Sequence, residues 1–268
     1  MGIVNINDDS FSGDGTLDVD QAVETAKAMV NTGADIIDVG AESARTNRGP
    51  ITAIAESQRL IPFIDRFATE VATATPADTT QLHPPLLSLN TWRPGVVAAT
   101  LPHGVDLLND ISALPDDSNA RLCAEHGTAL LVMHSVGEPK VPHTSESYPD
   151  VLATIDRFFA DKIELARAAG LSEQHLVLDP GLDFAKQRND NLRIVQHLDR
   201  FQHFGRPVLL PVSRKTVIGE VLTIPDPRDR DAGTVALIAT GIARGAQIFR
   251  VHNVQAAHTA IKTLHALR

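Results

Sequence analysis

Short apolar runs that end in polar residues recur along the chain and alternate with longer amphipathic stretches. Four of these runs follow a glycine, and they occupy residues 33–40, 104–110, 127–134 and 245–252. Near-continuous apolar runs are typical of strands buried on both faces, and a glycine at a helix end lets the chain turn into such a strand. Four more runs without that glycine occupy residues 2–6, 86–89, 176–178 and 208–210. Together the runs predict eight β-strands.

The stretches between the runs have the length and periodicity of helices. The clearest of them occupy residues 19–31, 54–67, 151–168, 192–201 and 232–243. Their apolar residues recur at three- and four-residue spacing, as Ala22, Ala26, Met29 and Val30 do, which is typical of amphipathic helices. Eight alternations of strand and helix favour a closed barrel over an open doubly wound sheet. The glycine-rich dinucleotide fingerprint is missing after the first strand, which weighs further against the open sheet.

We therefore predict a single (β/α)8 TIM barrel, an α/β fold that spans residues 1–268 as one domain. Long polar connections after the first, second, fifth and seventh strands lie on the face where barrels carry their active sites. The stretch from residue 68 to 85 is rich in Thr, Ala and Pro. It is predicted to be a flexible insertion on the opposite face.

Charge and cysteine usage narrow the class of protein. The formal net charge is -9 at pH 7, which argues against broad binding to nucleic acid or to an anionic membrane. No apolar run is long enough to span a membrane, and no charged-then-apolar leader opens the chain. The single cysteine, Cys123, excludes an intramolecular disulfide, suits a reducing compartment and is expected to pack in the core. We therefore expect a soluble cytoplasmic protein.

Polar residues stand at the end of every predicted strand. They are Asn5, Asp38, Glu42, Asn90, Asn109, Asp110, His134, Asp179, Ser213, Lys215, Arg250 and His252. One such residue is usually a turn or a helix cap, but their convergence at one barrel mouth predicts a polar pocket for a heteroatom-rich ligand. The cations near this mouth are Arg45, Arg214, Lys215, Arg250 and His252. Loops seven and eight are where many barrels hold phosphate, which favours an anionic substrate over helix initiation at Arg214 and Lys215.

Several segments of the chain resemble the dihydropteroate synthase family. They are residues 1–5, 9–12, 35–45, 107–111, 178–181, 213–215, 218–219 and 250–252. The segments follow the family's order and cover essentially the whole chain. The resemblance implies a barrel enzyme that joins 7,8-dihydropterin-6-ylmethyl diphosphate to 4-aminobenzoate and releases diphosphate, with Mg²⁺ present.

The resemblance also implies a role for individual residues. Those implied to bind the pterin are Asn90, Asn109, Asp179 and Lys215. Those implied to bind the diphosphate are Arg45, Arg250 and His252, and Asn5 is implied as the metal ligand. Ser213 and the stem of Lys215 are implied to border the aminobenzoate. Lys215, Asp179 and Arg250 are the implied catalytic residues, since cations stabilise a departing diphosphate. A homodimer formed through the last helices is implied as well.

The chain departs from the family's pattern inside the implied site. The departures are Asn90 for Asp, Ala44 and Thr46 around Arg45, Pro211 for Gly, Asp183 and Ala185 for Gly, and Asn253 for Asp. Two enzyme interpretations stay open at this point. One is a divergent but working synthase, and the other is an impaired or re-specialised paralogue that binds a pterin-like diphosphate. A third, a non-catalytic binding barrel, predicts loss of the cation cluster, which the sequence retains.

Overall fold

Eight short parallel strands line up around a common axis in the computed structural model, which describes residues 1–7, 15–42, 49–74, 83–141, 143 and 145–267. The strands are β1 (Gly2–Asn5), β2 (Ile36–Gly40), β3 (Leu86–Asn90), β4 (Leu107–Asp110), β5 (Ala129–Met133), β6 (Leu176–Asp179), β7 (Leu209–Leu210) and β8 (Ile248–Phe249). All eight coincide with the apolar runs of the sequence. The four glycines that precede a run, Gly33, Gly104, Gly127 and Gly245, all have positive φ.

The strands close into a barrel. Strands β1 to β6 pair in sequence order and in parallel, and β7 pairs in parallel with β8. Single parallel bridges, Leu178 with Val208 and Gly2 with Val251, join these two sheets at both edges. The backbone N–H of Val251 donates to the carbonyl of Met1 at 2.9 Å, which seals the last junction. The predicted (β/α)8 barrel is therefore confirmed.

Helices cover the outside of the barrel. They are α1 (Val19–Asn31), α2 (Ala53–Arg66), α3 (Pro94–Thr100), α4 (Ser118–His126), α5 (Val151–Ala168), α6 (Arg188–Gln196), α7 (Thr216–Leu222), α8 (Asp231–Ala243) and α9 (Val254–His265). Two of them, α7 and α8, lie between β7 and β8. Among the described residues, no helix has both the length and the apolar character needed to cross a membrane.

The barrel interior changes from apolar to polar along its axis. Alternate residues of a strand point to the same face, so each strand contributes an inner row. At one end the inner rows supply a small apolar cluster that includes Leu107, Leu131, Val177 and Leu209. Two residues further along the same rows, polar side chains such as Asn109 follow. The apolar cluster closes one end of the barrel, and the polar layer faces the loops that follow the strands.

Two sequence predictions are corrected by the structure. The predicted helix over residues 192–201 is α6, which ends at Gln196, followed by a 3-10 helix at Leu198–Phe204. The reciprocal hydrogen bonds of Gln187 and Asp190 start α6 earlier than its apolar pattern suggests. The predicted insertion 68–85 begins as a π-helical turn, Phe67–Val71, because Phe67 and Val71 continue the buried face of α2. Residues 75–82 lie outside the described part. Cys123 is fully buried in α4, as predicted.

Candidate active site

A fully buried carboxylate, Asp38 on β2, collects hydrogen bonds from the inner residues of three other strands or strand ends. Its Oδ1 accepts from Ser88 Oγ at 2.6 Å and from Asn109 Nδ2 at 3.2 Å. Its Oδ2 accepts from Arg250 Nε at 2.7 Å and from Asn109 Nδ2 at 3.1 Å. We call these four residues the Asp38 cluster. Asn90 lies at its edge, with Nδ2 at 3.5 Å from Asp38 Oδ2.

The Asp38 cluster fixes the position of Arg250. The Arg250 side chain is one quarter exposed, whereas the Asp38 side chain is inaccessible to solvent. A charge-assisted bond to a buried carboxylate is strong and directional, so the guanidinium is held at the end of β8. The sequence identified Asp38 as a polar strand-end residue but assigned it no role. Its hydrogen-bonding partners are up to 212 positions away along the chain, so the sequence does not reveal them.

Asp179, the last residue of β6, is a buried carboxylate beside this cluster. It is 4% exposed, and its Oδ1 accepts from the Gly181 N–H at 2.7 Å. Burial raises the pKa of Asp179 to about 6, although the Gly181 N–H and the charges of Lys215, Lys186 and Arg250 act in the opposite direction. Such a group can change its protonation state close to neutral pH.

Lys215 stands just before α7 and points back toward β6. Its Nζ donates to the Leu182 carbonyl at 2.8 Å and lies 4.8 Å from the centroid of the Phe184 ring. Burial lowers the pKa of Lys215, while the neighbouring carboxylates of Asp183 and Asp179 raise it. Helix α7 begins at Thr216, so Lys215 precedes the helix and is oriented toward the mouth of the barrel.

Ser213 and His252 connect the ends of the last two strands. Ser213 Oγ accepts from the His252 backbone N–H at 3.0 Å, and Ser213 is 7% exposed. Asn5 ends β1 beside Gly40 in register, and its carbonyl accepts from the Thr16 N–H at 3.0 Å.

The structure therefore brings every implied site residue to the same barrel mouth, except Arg45. Arg45, with Ala44 and Thr46, lies outside the described residues.

Arg214 was expected among the cations of the mouth, and the structure pairs its guanidinium with a carboxylate of this protein. Its Nε and Nη2 donate to the two carboxylate oxygens of Asp231 at 2.8 and 3.0 Å. Asn253 Nδ2 donates to the same carboxylate at 2.9 Å. A bidentate pair uses the guanidinium fork for a structural contact between the end of β7 and the start of α8.

A buried lysine near Asp179 was not identified from the sequence. Lys186 is 8% exposed, and its Nζ contacts His134 Nδ1 at 2.9 Å, the His134 carbonyl at 3.1 Å and the Phe184 carbonyl at 2.9 Å. Burial lowers the pKa of Lys186 to about 7 and, together with the Lys186 charge, lowers that of His134 to about 3. His134, expected as a polar group of the mouth, is therefore a neutral acceptor that helps to anchor the β6–α6 loop.

A second buried charge network supports the β2–α2 loop. Arg93 contacts the carboxylates of Glu42 and Glu56, and Lys140 Nζ donates to Glu42 Oε1 at 2.9 Å. We call these four residues the Glu42 network. Glu42 Oε1 also accepts from the Ile51 N–H at 3.3 Å, so it holds the chain on both sides of residues 43–48. The network therefore fixes the base of the loop that carries Arg45.

The loop after β6 holds two non-glycine residues in the left-handed region, Asp183 with φ +65° and Ala185 with φ +51°. The left-handed conformation is unfavourable for alanine by about 1–2 kcal/mol, and glycine removes that cost but adds chain entropy in the unfolded state. We expect Ala185→Gly to raise the free energy of unfolding by about 0.5–1 kcal/mol in urea denaturation. Ala160→Gly, at an exposed position of helix α5, should lower the free energy of unfolding by about 1 kcal/mol. A loss of stability in both variants would contradict strain at Ala185.

Comparisons with known proteins agree with this geometry. The family described as pterin binding enzyme matches residues 1–252. Dihydropteroate synthase of Escherichia coli (strain K12) is 34% identical over 99% of this chain and 90% of its own length. That of Bacillus subtilis (strain 168) is 35% identical over 100% of this chain and 87% of its own length.

Solved structures are similar over the same extent. Yersinia pestis dihydropteroate synthase, solved with a sulfonamide drug complex, aligns with a TM-score of 0.88 at 34% identity, over 100% of this chain and 93% of that one. The Xanthomonas albilineans enzyme, in complex with 7,8-dihydropteroate, aligns with a TM-score of 0.84 at 34% identity, over 100% and 92%. The chain therefore belongs to the dihydropteroate synthase family of pterin-binding enzymes.

Proposed function

We propose that this protein is a dihydropteroate synthase, a transferase that joins 7,8-dihydropterin-6-ylmethyl diphosphate to 4-aminobenzoate in folate biosynthesis. The observation that carries the proposal is the polar layer of the barrel mouth. There, the buried carboxylate of Asp179 lies beside the Asp38 cluster, which orients Arg250. An acceptor for a ring edge and a fixed cation for a leaving group are the two elements that the reaction needs.

The pterin binds at Asp179, Asn109 and Lys215, with Asn90 at the edge. The ring presents amino and ring N–H donors, which match the acceptor-only carboxylate of Asp179. Asn109 is 3% exposed and keeps its amide orientation through two bonds to Asp38. Groups held this rigidly lose little entropy when the ligand binds, which supports selective recognition of the ring.

The diphosphate binds at Arg250, with Arg45 and His252 as further contacts. Arginine presents a planar fork that suits phosphate oxygens, and a preorganised cation stabilises negative charge as it develops on the leaving diphosphate. As the C–O bond to the diphosphate breaks, the pterin methylene gains cationic character. The weakly nucleophilic amine of aminobenzoate then forms the C–N bond and releases one proton to solvent. Arg250 does not need to reorient during this step because Asp38 already holds its Nε.

The aminobenzoate enters from a neighbouring cavity of about 370 Å³. Phe184 and Thr216 line it, together with Asp183 and Lys186, and we call it the Phe184 cavity. The position of Lys215 Nζ over the Phe184 ring connects this cavity to the pterin site. An aromatic amine packed on Phe184 therefore lies next to the stem of Lys215. Ser213, whose Oγ accepts from the His252 backbone N–H, is the further aminobenzoate contact of the proposal.

Mg²⁺ is proposed as the cofactor, with Asn5 as its protein ligand. The described residues contain no group of three or more His, Cys, Asp or Glu side chains able to hold a metal. This fits an ion that keeps several waters and is bound through one or two protein oxygens and the substrate's phosphates. When bound, Mg²⁺ neutralises charge on the diphosphate. Asn5 supplies an amide oxygen at the end of β1, on the side of the mouth opposite β5.

The proposal is tested by measuring dihydropteroate formation. Purified protein is incubated with the pterin diphosphate, 4-aminobenzoate and Mg²⁺, and dihydropteroate and released diphosphate are quantified. We expect equimolar formation of both products and loss of turnover in EDTA. Release of diphosphate without dihydropteroate, or neither product, would contradict the synthase assignment.

The raised pKa of Asp179 predicts a pH dependence of pterin binding. Below pH 6 the carboxyl gains a proton and ceases to be an acceptor-only group, so KM for the pterin diphosphate should rise up to about tenfold per pH unit. The variant Asp179→Asn should bind weakly and lack this acidic limb. A wild-type KM that stays constant from pH 8 to pH 5 would contradict the role of Asp179.

The same titration affects stability with a definite sign. The pKa of folded Asp179, about 6, lies above its ordinary value of 3.8, so the folded state binds the proton more tightly. The stability that this proton contributes is present below pH 4 and is lost as pH rises to about 6. Unfolding of Asp179→Asn should lack this change, which urea titrations at several pH values can measure.

A homodimer and a cytoplasmic location stay predictions. Helix α9 carries Ile261, which is 36% exposed, on the face proposed for a dimer contact. Light scattering on purified protein measures the mass directly.

A further inference from the structure

Asp183 places a negative charge in the Phe184 cavity. It follows β6 at φ +65° and is held there by both backbone and side chain. Its backbone N–H donates to Asn191 Oδ1 at 2.9 Å, and its Oδ1 accepts from Asn191 Nδ2 at 3.1 Å. Its Oδ2 accepts from the backbone N–H of Thr216 at 2.5 Å. The carboxylate is therefore fixed between the β6–α6 loop and the start of α7.

Asp183 occupies the backbone N–H of Thr216, so this donor is not available to a ligand in the cavity. Thr216 is the first residue of α7 and lines the cavity, as Asp183 does. An incoming carboxylate has the same chemistry as the Asp183 side chain, so the two compete for this donor. Glu138 and Glu220 also line the cavity, but both are exposed, so solvent screens their charges.

Two of the described cations that line the cavity are directed to internal partners. Lys186 Nζ contacts two backbone carbonyls and His134, and Lys140 Nζ contacts Glu42 and the Gly49 carbonyl at 3.3 Å. Arg188 lines the cavity at an exposed position, where solvent screens its charge. From the part of the chain that the structure describes, a substrate carboxylate in this cavity thus meets a fixed like charge and little strong positive compensation.

We propose that Asp183 is a specificity-determining residue that disfavours a charged para-substituent on the arylamine substrate. An uncharged arylamine, such as 4-aminobenzamide, then competes with 4-aminobenzoate far better than it would without Asp183. This inference rests on the proposed function, because it assumes that the arylamine enters the Phe184 cavity. Repulsion between two carboxylates that are close together at a partly exposed site corresponds to roughly three- to tenfold in affinity.

The decisive variant is Asp183→Asn. Asparagine tolerates the left-handed conformation, and its side-chain oxygen can still accept from the Thr216 N–H, so the variant loses the charge together with the acceptor for Asn191 Nδ2. Calorimetry measures the dissociation constants of 4-aminobenzoate and 4-aminobenzamide, in the presence of inorganic diphosphate and Mg²⁺. We expect Asp183→Asn to tighten 4-aminobenzoate roughly three- to tenfold and to leave 4-aminobenzamide unchanged.

The matched control is Glu220→Gln, which removes one charge from the exposed α7 side of the same cavity. Its ratio of acid to amide affinity should equal that of the wild type. A second variant, Asp183→Gly, has no backbone strain at φ +65° and should shift the ratio in the same direction as Asp183→Asn. Equal ratios in wild type and both Asp183 variants would overturn the inference.

The synthase assignment and the role of Asp183 can be contradicted independently of each other. Turnover with the pterin diphosphate tests the synthase assignment in the wild type alone. The affinity ratio tests Asp183 without turnover. Wild-type turnover with an unchanged ratio in Asp183→Asn overturns only the role of Asp183, and a shifted ratio without turnover overturns only the synthase assignment.

Discussion

Asp38→Asn is expected to lower kcat/KM for the pterin diphosphate at least about a hundredfold, because the guanidinium of Arg250 loses its charged partner. Asp38 accepts from Arg250, Asn109 and Ser88 with a side chain that is inaccessible to solvent. Asparagine keeps the shape but carries no charge and accepts at one oxygen only, so the ion pair with Arg250 is lost and an amide N–H2 replaces the second acceptor. Steady-state kinetics with varied pterin diphosphate measures the effect.

The control for this prediction is Ser88→Ala. It removes one neutral donor to the same carboxylate and leaves the ion pair with Arg250 in place. Its kcat/KM should fall less than about tenfold. Denaturation of both variants establishes that they are folded at the assay temperature. If Asp38→Asn retained wild-type kcat/KM, Asp38 would be a structural residue without influence on the site.

Arg93→Met is expected to lower the free energy of unfolding by about 3–5 kcal/mol at pH 8, the cost of leaving buried carboxylates without their partner. Arg93 bridges Glu42 and Glu56, whose side chains are 2% and 0% exposed. Burial already raises the pKa of Glu56, and the Arg93 charge opposes this rise. Without Arg93 the pKa of Glu56 rises further, so the loss should be largest at high pH and smaller near pH 5.

The control for this prediction is Arg121→Met. Arg121 pairs with Asp117 on α4, but both side chains are about half exposed, so the contact is screened by solvent. Its removal should leave the urea midpoint unchanged at every pH. A pH-independent loss in Arg93→Met, or equal losses in the two variants, would contradict the buried Glu42 network.

The barrel was predictable because its signals are local in sequence. Apolar runs identify the strands, and a glycine such as Gly104 marks the return from a helix. The end of α6 was not predictable from apolar spacing. Ile194 and Leu198 are both buried and four residues apart, so the apolar spacing continues past His197. The α-helix nevertheless ends there and a 3-10 helix follows.

The sequence predicted which strand-end residues form the site, but not which of their side chains contact one another. A parallel barrel brings the carboxyl ends of its strands together, so the polar residues at those ends had to converge. Which of them pair depends on side-chain geometry between distant segments. Both Arg250 and Arg214 follow a predicted strand, yet Arg250 bonds to the buried Asp38, whereas Arg214 pairs with Asp231 at the start of α8. The contacts of Lys186 and Arg93 could not be predicted either, because they too join segments that are distant in sequence.

Calorimetric titration of the pterin diphosphate, with Mg²⁺ present, tests the central claim most directly. That claim assigns the ring to Asp179 and the diphosphate to Arg250. The account predicts saturable one-to-one binding by the wild type. Asp179→Asn and Arg250→Ala should each weaken it by about one to two orders of magnitude. Diphosphate alone should lose affinity for Arg250→Ala but not for Asp179→Asn. No binding by the wild type, or equal binding by all three proteins, would contradict the account.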